Sequence, residues 1–445
     1  MLQVGFEPHS ARAFQDVAEG PVIPPVDATG REDVTDALNR FFSSMKAGGT
    51  VSLAPGGVYR VEGSVEILHA QNLTVIGNNA QLRRTRTTSE KPQLLIQDST
   101  SITIRALGVV GANPNAGEDD DAYQAQHEHQ HGVSILGSTG VELDSMTITD
   151  VFGDFVYVGN DDKGTPAKDL KIHGGTFRRN GRQGIALTAA DGVDIRNNTM
   201  SDTRRSTIDL EPNSGGDAVK NVAVVDNDVG SGRLYFVAAN GSGDVSSITI
   251  ARNRLAGREL TIDVVSPDGV RRSGWFVIGN RSDTPSHRRP IHFVGVDGIV
   301  VRNNVQEVTG GDPGVLVDDV CAIRVSANDF GPDTQALAGA TAPCQHDPPP
   351  AEPAAAAPAG VAATNPSSTA TTATTTPASA TTATGQTAEE AAGPVGDDDG
   401  QGDVRHRAAV MTAVALLLLA IVIVVPPVVR RRRAEPDADA DSDSD

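Results

Sequence analysis

The sequence predicts an all-β solenoid, a chain wound into parallel coils, followed by a low-complexity stalk and a single apolar segment. Three observations predict it. Short runs of alternating apolar residues return at intervals of 23 to 29 residues between positions 30 and 345. Asparagine followed by an apolar residue closes several of those runs. Large apolar residues then almost vanish until one uncharged block restores them near the C-terminus.

Taken in chain order, residues 1–26 form an N-terminal extension with no apolar core of an export signal, although Ala11-Arg12-Ala13 has the small-x-small form of a cleavage site. An exported domain would then need a signal that starts before Met1.

The repeats fill residues 27–345. Leu73, Ile102, Val141, Leu170, Val193, Val222, Ile248, Ile299 and Ala322 mark successive runs, with steps of 29, 39, 29, 23, 29, 26, 51 and 23. The step of 51 is two units, and Trp275-Phe276-Val277-Ile278 is the run expected between them. Asn197-Asn198-Thr199-Met200, Asn227-Asp228-Val229, Asn253-Arg254-Leu255, Asn303-Asn304-Val305 and Asn328-Asp329-Phe330 read as corners, because asparagine tolerates the left-handed backbone that turns one short strand into the next. A β-propeller blade would need about 40 residues and tight hairpins, which are scarce here.

Asp27-Ala28-Thr29-Gly30, the helix-like Val34-Thr35-Asp36-Ala37-Leu38 and Gly48-Gly49-Thr50-Val51-Ser52-Leu53-Ala54-Pro55-Gly56-Gly57-Val58-Tyr59 resemble the opening of the pectate-lyase superfamily. The resemblance implies a single-stranded right-handed parallel β-helix whose first coil is capped by a short N-terminal helix. It speaks to fold more than to chemistry, since solenoids host many functions. Cys321 and Cys344, 23 positions apart, would in an exported protein form a disulfide that pins the last coil, worth on the order of 3 kcal/mol. Two unpaired thiols are the alternative.

Candidate chemistry gathers on three neighbouring coils, Gly153-Asp154-Phe155-Val156-Tyr157-Val158, Arg182-Gln183-Gly184-Ile185-Ala186-Leu187 and Ser206-Thr207-Ile208-Asp209-Leu210-Glu211-Pro212-Asn213. Val156, Val158, Ile185, Leu187, Ile208 and Leu210 alternate as core residues. Tyr157, Ala186 and Asp209 then stack outward, one per coil, about 4.8 Å apart. Asp209 and Glu211 share that outward face at roughly 7 Å, with Asp154 roughly 10 Å below. Carboxylates so placed serve as general acid and base, or bind Ca²⁺ through oxygen, or simply keep the surface soluble. No cofactor is certain, and Ca²⁺ is the one the carboxylates allow.

His131 adds a group that titrates near neutral pH. Arg178, Arg179, Arg182, Arg204, Arg205 and Arg233 cluster around the same strands, either as an anion-recognising set or as solvated corners paired with acids. The three coils also resemble a group of uncharacterised bacterial right-handed β-helix proteins whose relatives include polysaccharide lyases, hydrolases and uronate epimerases. That resemblance implies His131, Asp154, Arg182, Asp209 and Glu211 as the catalytic set. Gln183, Tyr157, Arg178, Arg179, Arg205 and Asn213 complete it as substrate-binding residues. Asn160-Asp161-Asp162 is similar to the paired aspartates of polygalacturonases, but their Gly-His-Gly and Arg-Ile-Lys elements are missing. His127, Glu128, His129 and His131 read as a hydrophilic loop rather than a zinc site, for want of strand or helix spacing to fix a metal geometry.

From residue 346 to 407 the chain is an Ala/Thr/Pro-rich linker, too poor in apolar surface to repay backbone ordering. Ala408–Val429 is uncharged and long enough to span a bilayer core of about 20 helical residues, with Pro426 and Pro427 at its end. Arg430 to Arg433 follow at once, which places residues 430–445 in the cytoplasm and the β-helix outside.

The formal charge of −20 divides into −8 from residue 346 onward (14 acids, 6 bases) and −12 before it. That balance excludes a basic nucleic-acid binder. Two cysteines exclude a disulfide-stapled scaffold. The expectation is a membrane-anchored, extracellular carbohydrate-active protein, a lyase, hydrolase or epimerase of an acidic polysaccharide. The alternative is a non-catalytic surface β-helix that binds glycans or acts as a rigid spacer.

Overall fold

A computed structural model describes residues 21–341 and Cys344, except residues 88, 89, 288 and 289. Residues 1–20, the linker, the apolar segment and the basic-then-acidic tail lie outside the described residues. Within them, no helix is long and apolar enough to cross a membrane.

The described chain is a right-handed parallel β-helix of about 11 turns with one short helix. Each turn visits three faces in the same order. On the groove face lie Val133–Leu136, Val156–Gly159, Ile185–Leu187, Ile208–Leu210, Val237–Ala239 and Ile262–Val265, each paired in parallel with the next. A long face follows, with strands such as Ala190–Arg196, Ala218–Val225, Asp244–Ala251 and Arg272–Ile278. A third face of shorter strands closes the triangle and forms a separate 10-stranded sheet.

Period-two patterning explains the register. Leu73 pairs with Ile102, Ile102 with Val141, Leu170 with Val193, Val193 with Val222, and Val222 with Ile248. Ile248 pairs with Trp275 and Trp275 with Ile299, so the unit missing from the spacing is where the sequence put it. The last marker moves by one: Ile299 pairs with Ile323, not Ala322. Ala322 instead takes a left-handed conformation, with φ 52°. These inward residues are buried and stack along the axis, where Trp275 meets Phe293 edge-on at 5.8 Å and Phe155 lies 5.9 Å from Phe177.

At the corner between the long and third faces the asparagines behave differently from the sequence expectation. The left-handed residue is usually the one before the repeated asparagine: Asn197, Asp226, Arg252, Gly279, Asn303 and Ala327. The repeated residues Asn198, Asn227, Asn253, Asn280, Asn304 and Asn328 form a ladder instead. In it each Oδ1 after the first accepts the backbone N–H and the side-chain amide of the asparagine one coil earlier, and Asn198 Oδ1 accepts the Gly175 N–H. Each Nδ2 also donates to a carbonyl in the preceding coil. A buried amide can use both its ends only in such a repeating register.

The helix α1, Thr35–Ser44, covers the first coils with Leu38 and Phe42. Asp33 Oδ1 accepts from the Thr35 N–H and hydroxyl at its start, and Asn39 is bonded to Ser64 and Glu66 of the coil beneath. At the other end Cys321 and Cys344 are disulfide-bonded, with Cα atoms 5.1 Å apart.

Candidate active site

The outward column on the groove face runs as expected: Ser134 pairs with Tyr157, Tyr157 with Ala186, Ala186 with Asp209 and Asp209 with Ala238. It is not exposed, however. Asp154 is 0% exposed and Asp209 4%, because a long loop between the third face and Val133 folds over this part of the groove. Two short 3₁₀ turns, Asp120–Ala122 and Ala125–His127, lie in that loop. Its backbone passes so close that a side chain at Gly153 would meet the Glu128 carbonyl at 2.5 Å and His131 Nδ1 at 2.7 Å.

Asp154 is held from three sides. Its Oδ1 accepts the Gln183 N–H at 2.9 Å, its Oδ2 accepts Arg182 Nη1 at 2.8 Å, and its own N–H donates to His131 Nδ1 at 3.0 Å. That last bond leaves Nδ1 unprotonated, so the 3.2 Å approach of His131 Nδ1 to Asp154 Oδ2 is no salt bridge. Burial, reinforced by the charges of Arg182 and His129, holds the imidazole well below its usual range and therefore neutral. Burial lifts the Asp154 carboxyl to about 6 against the pull of Arg182. The His131 ring stacks on Tyr157, parallel to within 11° and 4.8 Å between centroids.

Asp209 stands well above the ordinary carboxyl range, first because it is buried and next because Glu211 sits beside it. Its Oδ2 finds no hydrogen-bond partner, and the neighbouring Glu211 side chain pushes the carboxyl further in the same direction. Two residues apart on one strand, the two acids stand as a pair, as the sequence expects. Arg182 is pulled down by burial, but Asp154, Glu128, Glu211 and Asp209 outweigh that and raise it. Its Nε lies 3.5 Å from Glu128.

A cleft of about 450 Å³ opens beside these groups, lined among others by Lys91, His129, His131, Tyr157, Arg182 and Glu211. Asn213 also lines it, as expected from the sequence, and so do Ala186 and Thr188. Tyr157, also expected to bind substrate, lines the cleft, whereas Gln183, Arg178, Arg179 and Arg205 do not. Gln183 turns its Oε1 to the Ser206 N–H, where it braces the next coil. Arg178 lies on the third face, paired with Asp202 at 3.2 Å, and Arg179 bonds Asp150 at 2.5 Å. Arg205 sits over the Tyr123 ring at 4.3 Å. Arg204 and Arg233 both bond Asp120. Arg182, Arg204, Arg205 and Arg233 therefore fasten the covering loop, and of the six arginines Arg182 alone lines the cleft. Asp161 caps its own turn by accepting the Lys163 and Thr165 N–H groups, and none of Asn160, Asp161 and Asp162 lines the cleft.

Three contributors had been missed. Glu128, read as part of a hydrophilic loop, accepts the Tyr123 hydroxyl at 3.0 Å and faces Arg182. Thr188 bonds the Tyr157 hydroxyl at 3.1 Å. Lys91 arrives from a turn three coils before Ala186, with no local signal. The donor set does not suit Ca²⁺. Both Asp154 oxygens already serve Gln183 and Arg182, whose guanidinium takes the cation's place. Among the described residues no group of three His, Cys, Asp or Glu is set to hold a metal.

Residues 124–269 match the family model described as a right-handed β-helix region. No curated protein matches the sequence. Among solved structures, the surface protein and adhesin PfbA of Streptococcus pneumoniae is similar at 13% identity and TM-score 0.50, over 72% of this chain and 100% of that one. An exopolygalacturonase from Thermotoga maritima aligns at 12% identity and TM-score 0.47, over 71% and 94%. The Dettilon tailspike protein aligns at 13% and 0.48, over 72% and 68%. At these identities the likeness is one of fold.

Proposed function

We propose that the groove binds a polysaccharide and hydrolyses a glycosidic bond, with Asp209 and Glu211 as the proton-transfer pair. The single observation that carries this is the carboxyl pair: Asp209, buried with Oδ2 unpartnered, beside Glu211, which lines the cleft. In such a pair one carboxyl group gives a proton to the leaving oxygen while the other takes a proton from the water that attacks the anomeric carbon.

Charge favours hydrolysis over elimination or epimerisation. Both of the latter build negative charge at a uronate carboxylate and need uncommitted cations there. Arg182 is committed to Asp154 and Glu128. Hydrolysis passes through a positively charged, oxocarbenium-like state, which the carboxylates of Glu211 and Asp154 favour. His131, locked with Nδ1 accepting, and Tyr157 shape the cleft. Lys91, 3.7 Å from Glu66, is the other cation that lines the cleft, and it too already faces a carboxylate. Tethering by residues 408–429, with the β-helix outside the cell, belongs to the same proposal, and protease accessibility of the β-helix on intact cells tests it.

The experiment is a panel of uronate-containing and neutral polysaccharides incubated with the full chain. New reducing ends without unsaturated product mean hydrolysis. Unsaturated product means elimination and overturns the charge argument. Retention of a glycan without any product supports the non-catalytic alternative.

A further inference from the structure

The outward side of the long face changes character along the axis. Glu142, Lys171 and Asp194 follow one another on three coils, and Asp144, His173 and Arg196 form a second charged column beside them. On the next coils both columns turn apolar. Ala223, Thr249, Phe276 and Val300 continue the first, and Val225, Ala251 and Ile278 the second. Arg324 and Arg302 then end them. The runs Val222-Ala223-Val224-Val225 and Trp275-Phe276-Val277-Ile278 have lost the alternation of a strand with one wet side, and read as strands buried on both.

The burial agrees. Val225 and Ala251 are 0% exposed, Phe276 3% and Ile278 5%, although all four point away from the core and form a cluster separate from it. Among the described residues, the other apolar side chains packed against these four are Ala223 and Val300, which stand on the same face. Arg252, at the corner beside Ile278, is turned to Asp226 at 2.8 Å.

We propose that this face is the docking surface of the first stretch of the linker, Pro348–Ala355, which lies along the axis over Phe276 as an extended strap. Reach, chemistry and size select that segment. Cys344 is bonded to Cys321 with Cα atoms 5.1 Å apart, and Cys321 lies one coil and three residues from Val300, about 11 Å. About five extended residues cover that distance, and about five more in polyproline form, at roughly 3.1 Å each, cover the roughly 14 Å from Val300 to Ala223. The chain there reads Gln345-His346-Asp347-Pro348-Pro349-Pro350-Ala351-Glu352-Pro353-Ala354-Ala355. Prolines preset the extended form and offer apolar rings to a surface that carries an aromatic side chain. Asp347, just before them, falls where Arg302 and Arg324 close the two columns. A patch two residues wide is far below the roughly 800 Å² per partner of a stable dimer. Residues 1–20 join the fold at Val22, seven coil spacings or about 34 Å from the coil of Val224. Residues 408–429 lie beyond the whole Ala/Thr/Pro-rich stretch. The strap is independent of what the groove binds, since the groove is another face.

Hydroxyl-radical labelling of the full chain, read residue by residue by mass spectrometry, tests it. Phe276 should label as weakly as the core ring Phe293. Deleting residues 346–355 should raise the labelling of Phe276 roughly tenfold and leave Phe293 unchanged, which shows the β-helix still folded. Deleting residues 366–375 instead should change neither. Should the first deletion loosen the fold, Pro349→Asp with Pro350→Asp carries the test, since both lie outside the β-helix. Strong labelling of Phe276 in the wild type means an open face and overturns the strap. Protection that survives both the deletion and the double substitution also overturns it, and assigns the cover to residues 1–20 or 408–429. Protection that fades on dilution overturns it in favour of a second copy of the chain.

Discussion

On the corner between the long and third faces, Asn198 to Asn328 repeat one hydrogen-bonding pattern coil after coil. On the groove face, Asp154, Arg182 and Asp209 are also buried polar residues, yet no two of them share a pattern. In the ladder every amide oxygen meets donors and every amide nitrogen meets acceptors, so the cost of burial is met inside the register. In the groove burial is met by shifting protons: Asp154 is lifted to about 6, Asp209 higher still, and His131 is left neutral. Removing a ladder residue should therefore damage stability, and removing a groove residue should damage activity.

The largest effect expected is on the groove side. Asp209→Asn or Glu211→Gln removes one carboxyl of the pair and should lower hydrolysis by roughly 10²–10⁴-fold, with little change in melting temperature. The panel substrate that gives the highest wild-type rate is the one to measure. A variant that keeps full rate breaks the assignment of the pair, and one that unfolds shows the acid to be structural after all.

On the ladder side, Asn253→Ala deprives the Asn227 N–H and amide of their acceptor and the Val224 carbonyl of a donor. Unfolding in urea should show a loss of roughly 2–4 kcal/mol with activity per folded molecule unchanged. A loss below about 1 kcal/mol would mean that water replaces the ladder and that the contrast between the two regions is overstated.

Of these two regions only the groove responds to pH, since the ladder amides do not titrate. Asp154 moves from an ordinary 3.8 to about 6, so the folded state holds its proton more tightly than the unfolded chain does. Its contribution is fully present below about pH 4 and is lost as pH rises through about 6, and Asp209 acts in the same direction. From Asp154 alone the stability difference is about 3 kcal/mol. Asp27 and Asp161, held near 2 by hydrogen bonds in their turns, pull the other way only below about pH 4, whereas His131, kept neutral well below its ordinary 6.5, already pulls the other way as pH falls from 7. Urea unfolding at pH 4.5 and pH 7 should thus find that the stability of the wild type relative to Asp154→Asn is greater at the lower pH. A flat or opposite dependence would show that the Asp154 carboxyl is not shifted as the burial implies.

How much of this was legible in the sequence follows the same division. Coil register, the outward column and the pairing of Tyr157, Ala186 and Asp209 were readable, because alternation and repeat length are local properties. The ladder was visible as recurring asparagine but misassigned to backbone conformation, since its partners lie one coil away, 24 to 29 residues along the chain. The burial of the acids was not readable. It depends on a loop that begins after the third face, and nothing in Glu128 or Lys91 marks them as neighbours of Arg182. Charge clustering misled for a related reason: sequence proximity placed Arg178 with Arg182, but strand alternation and a corner send them to different faces.

That last point gives the smallest and sharpest prediction. Arg178 pairs with Asp202 at 3.2 Å and remains 60% exposed in its side chain, so water screens the pair. Exposed pairs of this kind are worth about 0–1 kcal/mol. Arg178→Ala should therefore change stability by less than about 1 kcal/mol, and, lying on the third face, should leave binding to the groove untouched. Arg182→Ala is its opposite in every respect. It strips the buried Asp154 of its cation and leaves a carboxyl that must take up a proton, so it should raise the pH at which the site titrates and depress activity together. If the two alanine variants instead weaken binding of an acidic oligosaccharide equally, the arginines act as one anion-binding set. The division between a paired scaffold and a proton-shifted groove would then have to be redrawn around charge rather than around burial.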